Sequence, residues 1–238
     1  MPLRATRAAI FDLDGTLVDS LPDIAGHLNA ALADAGFATY SDDEVKRWVG
    51  SGAAQLVARA VAARAGRETV VGGTDSIDDM TSGDRAAFED VFTRFRTHYR
   101  AAPFARTAVF AGLAGALDAI GPGRRLAILS NKPHDLVVTI TDALLTKWSF
   151  GPVLGERPGT PRKPDPTALL AIAAELGVAP AECVFVGDSE IDVATATAAG
   201  MPSVAVTWGL CEPEALAGAT HLVTTPAELA QLFGPASR

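Results

Sequence analysis

The segment Ala8-Ala9-Ile10-Phe11 is apolar at every position and stops at once against Asp12-Leu13-Asp14-Gly15-Thr16. A short run of this kind, closed by Asp and Gly, reads as a strand buried on both faces that empties into a polar loop. The pattern returns downstream. Leu126-Ala127-Ile128-Leu129 ends in Ser130-Asn131-Lys132-Pro133, and Val184-Phe185-Val186 ends in Gly187-Asp188-Ser189. Ser203 to Val206 and His221 to Val223 are further short strands. Helical stretches lie between them: Asp135 to Leu145, Pro166 to Leu176 stopped by Gly177, and the alanine-rich Ile191 to Ala199 stopped by Gly200. Fully apolar strands joined through helices call for a parallel sheet covered on both faces.

The stretch from Pro22 to about Arg100 follows another rhythm. Ile24, Leu28, Ala31 and Leu32 recur at helical spacing before Gly36. Ser41 and Glu44 form a capping box, and Leu56 to Ala65 is a further helix. Gly66 to Gly83 reads as a polar loop or break, with an ambiguous Thr69-Val70-Val71, and Ala86 to Arg100 is helical again. A chain of 238 residues suits one large domain carrying an insertion. The expected architecture is an α/β, doubly wound, Rossmann-like parallel-sheet core, residues 1–20 and 101–238. An α-helical cap, residues 21–100, is inserted into it.

Composition narrows the classes of function. Hydrophobic residues make up 48% and charged residues 20%, so the chain is expected to fold rather than stay disordered. The net charge of −8 disfavours a general nucleic-acid binder, because acidic surfaces repel phosphate backbones. No apolar run approaches the ~18 residues of a membrane span, so no membrane partner is expected. Asp12 and Asp14 interrupt what would have to be the apolar stretch of a signal peptide. Cys183 and Cys211 form no CxxC pair and read as free thiols of a reducing compartment. A cytoplasmic protein, monomeric or homodimeric, is the expectation.

In open parallel sheets, ligands bind beyond the carboxyl ends of the strands. Here those ends carry Asp12 and Asp14, then Ser130 and Asn131, then Asp188 with Asp192 four residues on. Lys163 sits in the loop Arg162-Lys163-Pro164-Asp165-Pro166. Taken singly, each has a plainer reading as a turn acid, a helix cap or a solvated loop charge. Taken together, several carboxylates at one sheet edge raise one another's pKa unless a cation offsets them. Mg²⁺ fits such a set, since it prefers oxygen ligands and binds one or two carboxylates together with substrate phosphate.

The motifs Phe11-Asp12-Leu13-Asp14-Gly15-Thr16-Leu17-Val18-Asp19-Ser20, Ser130, Lys163 and Gly187-Asp188-Ser189-Glu190-Ile191-Asp192 stand in the order seen in the haloacid dehalogenase superfamily. The chain resembles that family over nearly its whole length. The resemblance implies a fold of the type just described and a role for each motif residue. Asp12 is the implied nucleophile, forming an aspartyl-phosphate, and Asp14 the implied acid and then base. Ser130 and Lys163 hold the phosphoryl oxygens, with the Asn131 amide nearby. Asp12, the Asp14 carbonyl and Asp188 ligate Mg²⁺, with Asp192 in support. True dehalogenases lack the second acid, because a halide leaves without a proton, so Asp14 favours phosphate chemistry.

The cap resembles that of the phosphoglycolate phosphatases, in His27 to Leu32, Asp43-Glu44-Val45 and Trp48-Val49-Gly50-Ser51-Gly52. Gly50, Ser51 and Gly52 are candidate substrate-binding residues in a loop, Val49 to Gln55, that carries no charge. Related sugar-phosphate mutases carry a basic residue near the position of Ala53. The expected activity is Mg²⁺-dependent hydrolysis of a small phosphate monoester, such as phosphoglycolate or a sugar phosphate. A larger phosphorylated biosynthetic intermediate is the alternative substrate. A phosphomutase or a non-catalytic phospholigand-binding protein is the alternative of another class.

Overall fold

The structure is a computed structural model that describes residues 3–64, 66–67 and 80–234. The loop read at Gly66 to Gly83 lies largely outside these residues, and the ambiguous Thr69-Val70-Val71 lies wholly outside them. The chain divides into two compact units, Met1–Asp19 with Ala108–Arg238, and Ser20–Thr107.

The first unit is a six-stranded sheet. Its strands are β1 (Ala8–Phe11), β4 (Arg125–Pro133), β5 (Phe150–Glu156), β6 (Cys183–Gly187), β7 (Ser203–Val206) and β8 (His221–Val223). They run in the order β5-β4-β1-β6-β7-β8, every pair parallel. A two-stranded antiparallel ladder, β2 (Val18–Asp19) with β3 (Ala108–Val109), lies outside it. Alternation along each strand feeds two cores. Ala9, Phe11, Ile128, Val184 and Val186 pack with helices α5 (Leu113–Ile120), α6 (His134–Leu144) and α9 (Pro226–Phe233). Ala8, Ile10, Ala127, Leu129 and Phe185 pack with α7 (Thr167–Glu175) and α8 (Glu190–Ala198). The sheet is therefore doubly wound. The chain passes outward from β1 to β4 and β5, then returns to the other side of β1 through β6. This switch point brings the carboxyl ends of β4, β1 and β6 side by side.

The structure adds to the sequence reading in two places. β4 does not stop at Leu129 but continues through Ser130 to Pro133. β5, which contains Gly151, Pro152 and Gly155, forms at the sheet edge by pairing with β4, with irregular register. Edge strands tolerate such residues, which depress strand propensity.

The second unit is helical: α1 (Leu21–Asp34), α2 (Asp42–Lys46), α3 (Ala53–Arg64) and α4 (Ser82–Ala101). Its core holds Ile24, Leu28, Val57, Val61, Val91 and Phe95. The capping box is formed, with Ser41 Oγ accepting from Glu44 N and Glu44 Oε2 accepting from Ser41 N. The last helix starts earlier than its apolar spacing suggests, at Ser82, because Thr81 Oγ1 accepts from Asp84 N. No helix among the described residues is long and apolar enough to cross a membrane.

Asp23, in the first turn of α1, is only 2% exposed. Its carboxylate accepts from Arg106 N (2.9 Å), Thr107 N (2.7 Å) and Thr107 Oγ1 (2.7 Å). Residues after α4 are thereby tied to the start of α1, at the two ends of this unit. Burial alone would raise the Asp23 pKa, but these donors outweigh it and hold the group below the usual aspartate value. The charged clamp therefore contributes fully above the ordinary aspartate pKa of about 4 and is lost as pH falls through the lower native value. Asp23→Ala should cost on the order of 2–3 kcal/mol in urea unfolding, because buried donors lose their acceptor. Acid titration of stability should be shallower in Asp23→Asn than in the parent chain.

Candidate active site

Asp12 and Asp188 follow strand ends, Ser130 and Asn131 lie in the last part of β4, and Lys163 comes from the loop before α7. Asp12 follows β1 directly, and its backbone N–H donates to the Val186 carbonyl of β6 (2.9 Å), which fixes its place between two strands. The next turn is tight: Gly15 N donates to the Val18 carbonyl (2.9 Å), and Leu17 and Val18 donate to that of Leu13. Gly15 has φ of +81°, and a side chain there would overlap the Asp188 carboxylate, so glycine is required twice over.

Asp188 follows Gly187 at the end of β6. Its Oδ1 accepts from Thr16 Oγ1 (3.1 Å) and its Oδ2 from Leu210 N (2.7 Å). Asp192 lies in the first turn of α8. Its Oδ2 accepts from Ser189 N (3.1 Å) and Ser189 Oγ (2.6 Å), closing a capping box, while its Oδ1 accepts from Lys163 Nζ (2.6 Å). One carboxylate thus starts a helix and aims a lysine.

Lys163 is buried, with its ammonium 5.5 Å from the centroid of the Phe185 ring. Its Nζ lies 2.9 Å from Asp12 Oδ1. That is an ion pair by distance, but its angles do not make a hydrogen bond, so Asp12 Oδ1 is buried without one. The Lys163 backbone is gripped by Asn131, whose Oδ1 accepts from Lys163 N (2.9 Å) and whose Nδ2 donates to Lys163 O (3.1 Å). The Asn131 side chain therefore positions Lys163, a task that the sequence reading did not include. Ser130 is buried beside it on β4, its Oγ accepting from Lys132 N (3.3 Å).

Asp12, Asp188 and Asp192 each present an oxygen within 4.8 Å of the others, and all three are buried. For Asp12 and Asp188, burial is the largest cause disfavouring the charged form. It pushes Asp12 up to about 7, with the Asp192 and Asp14 charges adding to the rise and Lys163 opposing it. Burial likewise lifts Asp188 well above its ordinary value, helped by the charges of Asp12 and Asp192. Lys163 responds in the opposite sense: burial pulls it down, but the two aspartates overcome this and hold it protonated. Three clustered carboxylates, two of them against a single ammonium, leave two negative charges in excess. A divalent cation with hard oxygen preference matches that excess, and Asp12 Oδ1 is a buried acceptor that has an ion-pair contact but no hydrogen bond. The residues fit such an ion.

Two participants escaped the sequence reading. Lys132, on the β4 extension, pairs through its Nζ with both Asp14 oxygens (2.9 and 3.1 Å). In the sequence it resembles an ordinary loop charge beside Pro133. Arg59 is the second. Gly50, Ser51 and Gly52 belong to the helical unit, where Arg59 Nη2 donates to Ser51 Oγ (3.2 Å) and Arg59 Nη1 to the Trp48 carbonyl (2.8 Å). A loop without charge is thus braced by a buried guanidinium from α3.

A parallel α/β core thus gathers three aspartates and a lysine at its switch point. The chain belongs to the haloacid dehalogenase-like hydrolases, whose sequence pattern matches residues 6–200. It is 39% identical over 230 residues to a phosphoglycolate phosphatase of Rhodospirillum rubrum, covering 96% of this chain and 91% of that one. It is 34% identical over 216 residues to a phosphoglycolate phosphatase of Escherichia coli strain K12, covering 88% and 84%. A solved structure from Lactobacillus delbrueckii subsp. bulgaricus matches it with a TM-score of 0.87 at 32% identity, covering 97% and 99%.

The charge imbalance predicts cation-dependent stability. A divalent cation at 100 times its dissociation constant should add about 2.7 kcal/mol, which for a chain of this size raises the melting temperature by about 5–10 °C. Asp188→Asn should abolish that rise in a thermal-shift titration. An equal rise in the variant would mean that the ion binds elsewhere.

Proposed function

We propose that this protein is a Mg²⁺-dependent phosphomonoesterase that works through an aspartyl-phosphate on Asp12. Its substrate would be phosphoglycolate or another small phosphorylated metabolite. The observation that carries the reading is the buried Asp12 carboxylate, ion-paired with Lys163 and clustered with Asp188 and Asp192. The likeness to phosphoglycolate phosphatases over most of the chain supports the substrate class.

A carboxylate attacking a phosphate dianion meets charge repulsion, and fixed positive groups reduce it. In the first step an Asp12 oxygen bonds to phosphorus while the ester oxygen leaves and takes a proton from Asp14. In the second step water attacks phosphorus, Asp14 removes its proton, and the Asp12–phosphorus bond breaks to release phosphate. Lys163 holds negative phosphoryl oxygens through both steps, and Ser130 is the hydroxyl donor beside it. Asn131 keeps Lys163 in place through its backbone. Asp12, the Asp14 carbonyl and Asp188 are the residues proposed to hold Mg²⁺, with Asp192 supporting them. When bound, the ion supplies positive charge that offsets the carboxylates and the phosphate.

A larger phosphate ester is the second reading. It is favoured by the Gly-Ser-Gly composition of residues 50–52 and by the engagement of Arg59 with Trp48 and Ser51. A phosphate-release screen over diverse monophosphates separates the two. A phosphomutase would instead return an isomer without free phosphate. Asp12→Asn should stay folded and lose more than ~10³-fold in turnover, as removal of a nucleophile does. Rapid quench with ³²P-labelled substrate should give a hydroxylamine-labile label on the parent chain and none on the variant. EDTA should stop turnover, and full activity in its presence would remove the metal from the reading.

A further inference from the structure

We infer that Lys132 is a positioning residue for Asp14, aiming its carboxylate for both proton transfers of the reaction. This rests on the reading of Asp14 as acid and base. It goes beyond that reading by assigning a task to a lysine that the motif pattern leaves without one.

The geometry is specific. Lys132 Nζ stands 2.9 Å from Asp14 Oδ1 and 3.1 Å from Oδ2, so both oxygens are held by one ammonium. The side chain of Lys132 is 3% exposed and that of Asp14 13% exposed, which leaves the contact little screened by water. The lysine itself is firmly seated. It lies on the β4 extension rather than on a free loop, and its backbone N–H donates to Ser130 Oγ. The neighbouring strand β5 passes close at Gly155, where a side chain would overlap the Lys132 carbonyl. Asp14 by contrast sits in a turn, where its carboxylate takes a direction from the groups its oxygens meet. A two-point contact from a rigid strand supplies that direction.

The two lysines take different ion-pair partners. Lys163 faces Asp12 and Asp192, whereas Lys132 faces Asp14. When Asp14 gives its proton to the leaving oxygen, the carboxylate that results already has a cation against it. The same carboxylate is then oriented to take the proton of the attacking water. Neither transfer consumes anything beyond the substrate ester and water.

The test compares Lys132→Met, Lys132→Arg, Asp14→Asn and the double variant Asp14→Asn/Lys132→Met, with circular dichroism as the folding control. Two substrates are used: an alkyl ester (2-phosphoglycolate) and p-nitrophenyl phosphate, whose phenolate departs without protonation. Lys132→Met should lower kcat on the alkyl ester by about 10²-fold, the lower end of what general acid–base catalysis contributes. With the aryl ester, phosphoenzyme formation should fall less than tenfold. Its hydrolysis should slow, so labelled phosphoenzyme accumulates. Lys132→Arg should restore most of the activity, because a guanidinium fork can grip both oxygens. The double variant should be no slower than Asp14→Asn alone, since Lys132 acts through that residue. It also removes both charges of the pair, so no buried carboxylate is left unpartnered.

The proposal falls if Lys132→Met slows phosphoenzyme formation equally from both esters and raises KM for both, the mark of a direct phosphoryl contact. It also falls if Lys132→Met leaves kcat on the alkyl ester, phosphoenzyme formation and phosphoenzyme hydrolysis all unchanged. If Asp14→Asn itself shows no dependence on the leaving group, it is the acid–base reading of Asp14 that fails.

Discussion

Lys163 is the contact on which the site depends. One buried ammonium faces the carboxylates of Asp12 and Asp192 and is held by its own backbone to Asn131. Those partners come from the end of β1, from α8 and from β4, so a single residue joins three separate parts of the sheet edge. Burying this many carboxylates is costly unless cations accompany them. The lysine supplies one, and the remaining excess is the size of a divalent ion's charge. Burial thus shapes the surroundings of Asp12 and gathers the acidic cluster that could hold a metal ion.

The site is divided into two charge groups. Asp12, Asp188, Asp192 and Lys163 form a cluster with net negative charge, while Asp14 and Lys132 form a locally balanced pair. The two carboxylates face different lysines, although only Leu13 lies between them in the chain. In the helical unit two other buried charges do structural work. Asp23 ties the unit's two ends, and Arg59 braces the loop at Ser51.

Much of the core was legible because its strands are buried on both faces. Ala8–Phe11, Leu126–Leu129 and Val184–Val186 are apolar at every position, which only a covered parallel sheet can use. The Ser41 and Thr81 caps show the difference between a strong and a weak local signal. Ser41 precedes Glu44 by three residues and announces its helix, whereas Thr81 precedes a glycine-containing turn that hides the start of its own. β5 was not legible, because Gly151, Pro152 and Gly155 become a strand only when β4 offers its edge.

By itself the sequence determined the class of sheet, the positions of the acids at strand ends and the presence of one lysine in a proline-rich loop. Those follow from local periodicity and from the chemistry of short motifs. Only the tertiary structure decided what each charge faces. Lys132 and Lys163 are both lysines followed by proline, and nothing local separates them. One faces Asp14 across 118 positions and the other faces Asp192 across 29. Partners at such separations are chosen by strand order and register, because Coulomb attraction in a buried site depends on distance in space and not along the chain.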